Sequence, residues 1–191
     1  KKGQKIAEAG GFVSAPIYAS VSGTVKAIEP HFSPTGAKVN CIVVENDGMY
    51  EEAEYGSVKP LEEMTKEEIL NAIGEAGIVG MGGAGFPTRV KLSPKEPDKI
   101  DFVIANCAEC EPYITADYRR MLEDPELLVG GMKVILSLFD NAKGIFGVED
   151  NKPDCIEKLR ELTQNEPRME VMALKTKYPQ GAERQLIYAV T

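Results

Sequence analysis

Long apolar runs and an excess of positive charge are both missing from this sequence. No apolar stretch approaches the roughly 20 residues that a membrane helix needs, so we expect no transmembrane segment. Lysines and arginines number 22 against 30 aspartates and glutamates, which gives a formal net charge of −8. Because neutralising phosphates dominates affinity for nucleic acids, this balance argues against a nucleic-acid partner.

Histidine and cysteine are also scarce. The one histidine, His31, falls in a turn-like stretch at 29–36, so a Ser-His-Asp triad or a multi-histidine zinc site would depend on this residue alone. The four cysteines, at positions 41, 107, 110 and 155, are too scattered for a disulfide-stapled secreted domain and favour a reducing, cytoplasmic setting. Cys107 and Cys110 have the spacing of a metal or redox pair, but alone they make only half a zinc site.

The overall composition is that of an ordinary globular protein, and the chain divides into two stretches of different character. The 191 residues are 43% apolar and 27% charged, enough for one large domain or two small ones. Residues 1–50 contain short β-branched runs broken by Gly, Pro, Ser and Asn, which predicts a β-rich module. An acidic connection at 51–64 leads to residues 65–191, where helices and strands alternate. The chain opens without a starting methionine or an apolar leader, so we expect it to be a portion of a longer protein with both domains incomplete.

The alternating region carries clear signals for its elements. Thr65 and Glu68 form a capping box at one helix start, and Asp124-Pro125 places a cap and a proline at another. Another helix is predicted at about 153–164, and strands are predicted at 102–106 (buried on both faces), 143–148 and 169–174. Strands and helices in this order predict a parallel α/β sheet.

A glycine-rich loop, GMGGAGFP at residues 80–87, is the first candidate site. Gly80, Gly82 and Gly85 have the spacing of the dinucleotide fingerprint, in which bare backbone lets amides approach a phosphate in front of a helix N-terminus. The usual fingerprint follows a full strand, whereas only Ile78 and Val79 precede this loop after a predicted helix. From spacing alone, a phosphate-binding loop and a turn between two helices both remain open.

Polar residues after the predicted strand 102–106 form the second candidate site. Asn106, Glu109 and Glu111 follow the strand at its carboxyl end, where ligands bind in open parallel sheets. The alternative is an Asx-type turn with both glutamates facing solvent. Lys91, after the glycine loop, either meets a phosphate or lies on the surface.

Three separated motifs carry a resemblance to a known family. The motifs GIVGMGGAGFPT at 77–88, NCAECEP at 106–112 and KTKYPQGAE at 175–183 resemble the C subunit of the Rnf electron transport complex, which is related to the NADH-binding flavoprotein subunit of respiratory complex I. The opening, with GQKIA at 3–7 and SVSGTV at 20–25, resembles the barrel-sandwich hybrid module of the same subunits, which is similar to lipoyl and biotinyl carriers. The resemblance covers nearly the whole chain. It implies that a Rossmann-like domain at 65–191 follows this module.

The resemblance implies sites for FMN and NADH. Flavin contacts are implied for the loop glycines, a lysine and two polar residues: Gly80, Gly82, Gly83, Gly85, Lys91, Asn106 and Glu109. The same glycines would also approach NADH, with Phe86 stacking on its adenine and Glu111 nearby. Gly181 and Glu183 match the first and last positions of a Gly-Glu-Glu motif in the complex I subunit.

Three positions depart from the complex I pattern. Ala108 stands where an Asp is expected, Ala182 replaces the middle Glu of Gly-Glu-Glu, and Pro94 replaces an aromatic residue that would stack on the adenine. The resemblance therefore supports flavin binding better than NADH binding.

The resemblance also implies a place in a larger assembly. Electrons would pass between NADH and iron–sulfur clusters through FMN, in a peripheral subunit at the cytoplasmic face of the cell membrane. Other Rnf subunits would couple this transfer to ferredoxin and ion translocation. Two [4Fe–4S] clusters would lie in a C-terminal part outside this sequence, because the sequence lacks four closely spaced cysteines. The resemblance accounts for Cys107 and Cys110 as loop residues that need no metal. The first module lacks the hairpin lysine of lipoyl and biotinyl carriers, which implies a structural or docking role for it.

Two alternatives remain at this point. A related flavoprotein, such as a cobalamin reductase or a proline-reductase-associated electron carrier, shares the glycine-rich loop. A cofactor-free scaffold subunit would use the loop for architecture alone. Flavin absorbance in the purified protein separates the scaffold from the enzyme.

Overall fold

The computed structural model describes residues 1–56, 59–82 and 84–191, which divide into two compact units, Lys1–Ser93 and Pro94–Thr191. The first unit combines the β-rich stretch with the helix that begins after Thr65 and with the glycine loop. The domain boundaries at 50 and 65 stay a prediction. Among the described residues, no helix is long and apolar enough to cross a membrane.

Short strands form the start of the first unit. β1 (Lys5–Ala7) pairs antiparallel with β2 (Ile17–Tyr18), and β3 (Gly23–Phe32) forms a long antiparallel hairpin with β4 (Lys38–Asn46). Gly23 begins β3 at φ +151°, and a Cβ there would lie 1.9 Å from a carbonyl oxygen of β4. The hairpin therefore needs glycine at this position.

His31 lies inside β3 and not in the turn predicted at 29–36. Its backbone pairs with Val39 across the hairpin, and its Nε2 is 3.1 Å from Oε1 of Glu29. The turn itself lies in the second half of that stretch, where the Gly36 amide donates to the Ser33 carbonyl at 2.9 Å. The prediction was wrong for His31 because Pro30 suggested a break. A two-stranded hairpin leaves alternate amides unpaired, so a proline is tolerated within β3.

The helix α1 (Lys66–Glu75) begins at the predicted capping box. The Glu68 amide donates to Thr65 Oγ1 at 3.2 Å, and the Thr65 amide donates to Glu68 Oε2 at 2.8 Å. The chain turns after the helix at Gly77, whose φ of +66° favours glycine. A single helical turn, α2 (Thr88–Lys91), follows the glycine loop.

The second unit is a mixed α/β fold around a parallel sheet, as the sequence predicts. Its strands have the order β5–β6–β7, and both neighbouring pairs are parallel. The elements follow one another as β5 (Phe102–Cys107), α3 (Ala116–Glu123), α4 (Pro125–Leu136), β6 (Lys143–Glu149), α5 (Pro153–Thr163), β7 (Met169–Leu174) and α6 (Glu183–Val190). The predictions for β6, β7 and α5 agree with these bounds to within one residue.

The central strand β6 is buried at six of its seven residues because helices cover both faces of the sheet. Gly144 and Gly147 are three positions apart and so face opposite sides. A Cβ on Gly144 would lie 2.7 Å from Sδ of Met132 in α4, and a Cβ on Gly147 would lie 3.0 Å from Cδ1 of Leu186 in α6. The two glycines allow α4 and α6 to approach β6 closely.

Two predictions in this unit need correction. β5 is not buried on both faces, since it lies at the edge of the three-stranded sheet and Phe102 is 44% exposed. Asp124 precedes Pro125 at the start of α4, but its side chain does not cap the helix. The Asp124 carboxylate instead forms an ion pair with Arg120 of α3.

Arg168 closes the C-terminal end of α4. Its guanidinium donates to the carbonyls of Leu136 and Phe139, each at 2.8 Å, and to that of Asp140 at 3.2 Å. A cation at this end also suits the helix dipole. Because Arg168 immediately precedes β7, this contact lies at the amino edge of the sheet.

Candidate functional site

The glycine loop is closed at its base by backbone hydrogen bonds. The Gly80 amide donates to the Phe86 carbonyl at 2.8 Å, and the Thr88 amide donates to the Ile78 carbonyl at 3.0 Å. The helix behind the loop is α2, a single turn, and the element before it is α1. The loop therefore differs from the dinucleotide fingerprint, whose glycines follow a full strand and open a helix.

The described part of the loop presents bare backbone. No heavy atom beyond the adjacent residues lies within 4 Å of the position that a Cβ would take on Gly82 or Gly85. Phe86 is 40% exposed, and Lys91 is exposed at the end of α2. Gly83, which the resemblance also implies as a site residue, lies outside the described residues. This loop has the open backbone that a phosphate needs for close approach.

Asn106 joins two of the predicted site segments in the second unit. Its Nδ2 donates to the Gly181 carbonyl at 2.8 Å, and its Oδ1 accepts from the Ala108 amide at 3.2 Å. The second contact is an Asx-type turn, which the sequence left open as an alternative. Asn106 thus brings the end of β5 against the segment that leads into α6.

Gly181 is glycine because another part of the backbone lies close to it. A Cβ on Gly181 would lie 2.3 Å from the Ala108 carbonyl oxygen. The Gly181 amide donates to Sγ of Cys110 at 3.3 Å. The two motifs that contain these residues are therefore packed together.

The cysteines show no sign of a shared metal site in the part of the chain that the structure describes. No group of three or more His, Cys, Asp or Glu side chains among those residues is arranged to hold a metal ion. Burial, with smaller contributions from the charges of Asp117 and Cys155, raises the pKa of Cys107 to about 12. Cys107 is therefore a protonated, buried thiol, and Cys110 is a hydrogen-bond acceptor.

Glu109 caps a helix and does not face solvent freely. Its two carboxylate oxygens accept from the Asp117 amide at 2.8 Å and the Tyr118 amide at 3.0 Å, at the start of α3. Burial, together with the charge of Glu109, raises the pKa of Asp117. Glu111 is exposed, and Glu183 is the exposed first residue of α6.

A cavity of about 510 Å³ lies at the carboxyl edge of the parallel sheet. The loops after all three strands line this cavity, so Glu109 and Glu111 share it with residues from the ends of β6 and β7. Sequence reasoning did not assign the lining residues near the ends of those strands, which are Glu149, Asn151, Lys152, Thr176, Lys177 and Tyr178. The last three lie in the motif at 175–183, and the signal for the first three was a group of polar and charged residues directly after the apolar stretch 143–148.

Glu149 and Lys152 form a buried ion pair at this cavity. Lys152 Nζ lies 3.3 Å from Glu149 Oε2, and Lys152 and Glu149 are only 8% and 1% exposed respectively. Nζ also donates to the Glu109 carbonyl at 3.3 Å and to Asn151 Oδ1 at 3.1 Å. The three N–H donors of the ammonium thus each have an acceptor. The other Glu149 oxygen, Oε1, accepts from the Lys177 amide at 3.3 Å.

Comparison with known proteins identifies relatives of the whole chain. The chain is 47% identical over 192 residues to the C subunit of the Na(+)-translocating ferredoxin:NAD(+) oxidoreductase complex of Acetobacterium woodii. It is also 47% identical over 192 residues to the C subunit of the proton-translocating ferredoxin:NAD(+) oxidoreductase complex of Clostridium ljungdahlii. These alignments cover 99% and 100% of this chain but 43% and 42% of the relatives, so the chain spans less than half the length of either.

Structural and family comparisons agree with these relatives. A crystal structure of NAD+-reducing [NiFe]-hydrogenase in the air-oxidized state is similar with a TM-score of 0.54 and 28% identity, over 64% of this chain and 23% of that chain. The RnfC barrel sandwich hybrid domain matches residues 1–49, and the Nuo51 FMN-binding domain matches residues 73–191. The resemblance found in the motifs is confirmed, and the chain belongs to the Nuo51 FMN-binding domain family.

Proposed function

We propose that this chain forms the FMN- and NADH-binding part of an electron-transfer subunit in an ion-translocating ferredoxin:NAD oxidoreductase. The family match at 73–191 and the names of the relatives support this proposal. The observation that carries it is the cavity at the carboxyl edge of the sheet, lined by loops from all three strands. This edge is where nucleotide cofactors bind in open parallel sheets.

The residues at this edge fit a flavin because they keep unused hydrogen-bonding capacity. Asn106 uses one N–H donor and one acceptor site in hydrogen bonds within the protein, so one N–H donor and one acceptor site remain for a ligand. Each carboxylate oxygen of Glu109 accepts one amide and keeps further lone pairs. The isoalloxazine ring carries both donors and acceptors along one edge, so it matches this set. The cavity volume also falls within the range of about 300–1,000 Å³ that is usual for small-molecule sites.

The glycine loop fits the phosphate of the flavin. A Cβ on Gly82 or Gly85 would fill space that is open in this structure, so glycine preserves access to the backbone. Lys91, at the end of α2, adds positive charge in the same unit.

We assign the residues of the two cofactor sites as follows. The flavin would be held by Gly80, Gly82, Gly83, Gly85, Lys91, Asn106 and Glu109. NADH would be held by Phe86, Glu111 and Glu183, with Gly181 allowing the close packing beneath them. When bound, FMN would accept two electrons from the nicotinamide and release them one at a time. The side chains of this chain bind and orient the cofactors, and no general acid or base is required of them.

The rest of the assembly follows from the relatives. We propose that residues 1–50 form a lipoyl-like module with a structural or docking role, joined by residues 51–64 to a Rossmann-like domain at 65–191. Two [4Fe–4S] clusters would be held by cysteine-rich segments outside these 191 residues, since this sequence lacks four closely spaced cysteines. The subunit would be peripheral at the cytoplasmic face of the membrane. It would reach ferredoxin through the other subunits.

Fluorescence titration tests the flavin assignment. Adding the 191-residue chain to a low concentration of FMN should quench the flavin saturably, and riboflavin, which lacks the phosphate, should bind about tenfold more weakly. Glu109→Gln should weaken FMN binding about tenfold, because a charged hydrogen-bond acceptor becomes neutral. Glu157→Gln, on the exposed surface of α5, is the matched control. No saturable quenching at any protein concentration would contradict the assignment and favour the scaffold.

A further inference from the structure

The loops at the carboxyl edge are connected through one buried cation. Lys152 Nζ reaches the Glu109 carbonyl in the loop after β5 and the Glu149 carboxylate at the end of β6. Glu149 in turn accepts from the Lys177 amide in the loop after β7. One ion pair therefore contacts the chain beyond all three strands.

We propose that Lys152 is a positioning residue that, with Glu149, holds these three loops at a fixed spacing so that the cofactor site is formed before the ligand arrives. The identity of the ligand rests on the proposed function, whereas the loop contacts do not. Lys152 is not assigned a contact with the ligand, because its three donors already have acceptors within the protein.

Stability alone does not explain this pair. Removing two charges from water carries a desolvation cost, and apolar replacements of buried ion pairs are often neutral or stabilising. The 3.3 Å separation of Lys152 and Glu149 is longer than the roughly 2.7–2.9 Å of strong charge-assisted hydrogen bonds. The pair is therefore better suited to fixing geometry than to adding stability.

Other contacts connect these loops in different pairs. Thr176 Oγ1 donates to Asp150 Oδ1 at 2.6 Å, which connects the segments after β6 and β7. The Gly181 amide donates to Cys110 Sγ, which connects the segments after β7 and β5. Lys152 connects the end of β6 to the loop after β5, and the Tyr118 hydroxyl of α3 donates to Asp154 of α5 at 2.6 Å farther along the same two segments.

The consequence is that Glu109 is held at two points. Lys152 holds its carbonyl, and the first amides of α3 hold its carboxylate. Without Lys152, the backbone of Glu109 would lose its link to Lys152, and the loop would be held here only by the bonds from the first amides of α3 to the Glu109 carboxylate, which would break more often. The loop that carries both predicted glutamates, Glu109 and Glu111, would then open more often.

Hydrogen–deuterium exchange of the ligand-free 191-residue chain tests the loop contacts directly. The variants are Lys152→Met and the double variant Glu149→Leu/Lys152→Met, which removes both charges and avoids leaving one of them buried and unpaired. Lys133→Met is the matched control, since it breaks the pair between Lys133 and Glu166 (2.5 Å), near the amino end of β7.

We expect the double variant to fold with an unchanged or higher melting temperature. The amides of Asp117, Tyr118 and Lys177 should exchange about tenfold faster, with β6 amides unchanged. FMN affinity, measured by the fluorescence titration, should fall about tenfold. Lys152→Arg should recover part of both effects, and Lys133→Met should change neither.

Unchanged exchange at Asp117, Tyr118 and Lys177 in the double variant would overturn the proposal. Faster exchange with unaltered FMN affinity would also overturn it, because the loops would then not position the ligand. If the unmodified chain binds no FMN, the proposed function fails, and the exchange rates still decide whether Lys152 holds the loops.

Discussion

Glycines in the two candidate site segments serve different purposes. Gly82 has open space where a side chain would stand, whereas a Cβ on Gly181 would collide with the Ala108 carbonyl. From sequence, both are cofactor-facing residues of one family pattern. Only the structure shows that glycine at 82 leaves space for a ligand, whereas glycine at 181 allows close packing against the protein's own backbone.

Gly82→Val and Gly181→Val should therefore affect different measurements. At Gly82 we expect FMN affinity to fall about tenfold or more, while stability changes by about 0.5 kcal/mol or less, because the new side chain meets no neighbouring part of the chain. At Gly181 we expect a loss of about 1–3 kcal/mol from overpacking against backbone. Urea unfolding and FMN titration on both variants check this. A Gly82→Val protein that binds FMN normally would remove the loop from the flavin site.

Cysteine reactivity provides a second prediction for individual residues. Burial raises the pKa of Cys107 to about 12 and that of Cys155 to about 11, so both thiols stay protonated at pH 8. Cys41 and Cys110 are partly exposed. Mass spectrometry after iodoacetamide treatment should show labelling at Cys41 and Cys110 well before Cys107 and Cys155. Labelling of Cys107 as fast as Cys41 would show that the end of β5 opens readily.

Sequence reasoning singled out Asn106, Glu109 and Glu111 because polar residues directly after an apolar strand are recognisable, and the last two line the cavity. It missed Glu149 and Lys152 because an acid and a lysine three residues apart usually describe a solvated surface. Their burial depends on the loops after β5 and β7, which are more than 20 residues away along the chain.

Among the elements, the start of α1 has a pH dependence that can be predicted. Hydrogen bonds from Lys59 and from the Thr65 amide lower the pKa of Glu68 to about 2 from its usual 4.5. The folded-state pKa is depressed, so the stabilisation is complete above about pH 4.5 and is lost as the pH falls towards 2.

Glu68→Gln should reduce this pH dependence. The melting temperature of the unmodified chain should drop further between pH 6 and pH 3 than that of the variant, because the variant has no carboxylate to protonate. Glu67→Gln, at the neighbouring position of the same helix, is the control. Identical pH profiles for the unmodified chain and Glu68→Gln would mean that the cap does not contribute in solution.

The central strand and the helix α4 supply a matched pair of glycine substitutions. Gly147→Val should cost about 1–3 kcal/mol, because even a Cβ there would lie 3.0 Å from Leu174 and Leu186 side chains. Gly131→Ala, on the exposed surface of α4, should stabilise by about 0.5–1 kcal/mol because nothing lies within 4 Å and alanine favours helix. Urea denaturation of both variants measures the two free energies. A neutral Gly147→Val would mean that α6 can move away from β6.

Elements with strong local patterns were predicted almost to the residue. β6 and β7 have mostly apolar runs and α5 starts with a proline, and their predicted bounds agree with the structure to within one residue. The exposure of β5 was not predictable, because strand order decides which strand lies at an edge. The position of His31 depends on cross-strand pairing, which single-residue signals such as Pro30 do not show.

On the scale of the whole molecule, burial is unevenly divided between the two units. The buried hydrophobic residues of the first unit are few among those described: Ala19, Ile69 and Ile73. Most of the buried side chains belong to the second unit, where helices cover both faces of β6. The grouping of the glycine loop with the β-rich stretch rests on contacts that sequence patterns do not reveal.

The two units should therefore unfold at different denaturant concentrations. In native-state hydrogen exchange with added urea, amides of β6 should be the last to exchange, and those of β3 and β4 should exchange at lower urea. Ile28 and Phe32, 70% and 73% exposed, show how little apolar burial supports the β3–β4 hairpin. Exchange of both regions at one urea concentration would indicate a single cooperative unit.

The contact made by Arg168 has a consequence for the opposite edge of the sheet. At the amino edge, the three hydrogen bonds of this guanidinium go to the carbonyls at the end of α4, so they serve the protein itself. At the carboxyl edge, Asn106 and Glu109 retain donors and acceptors after their internal bonds are made. The two ends of the sheet thus differ: Arg168 serves the end of α4 at the amino edge, whereas Asn106 and Glu109 keep hydrogen-bonding groups for a ligand at the carboxyl edge. Substitutions that change ligand preference can therefore be made at the carboxyl edge without breaking the contact between Arg168 and α4.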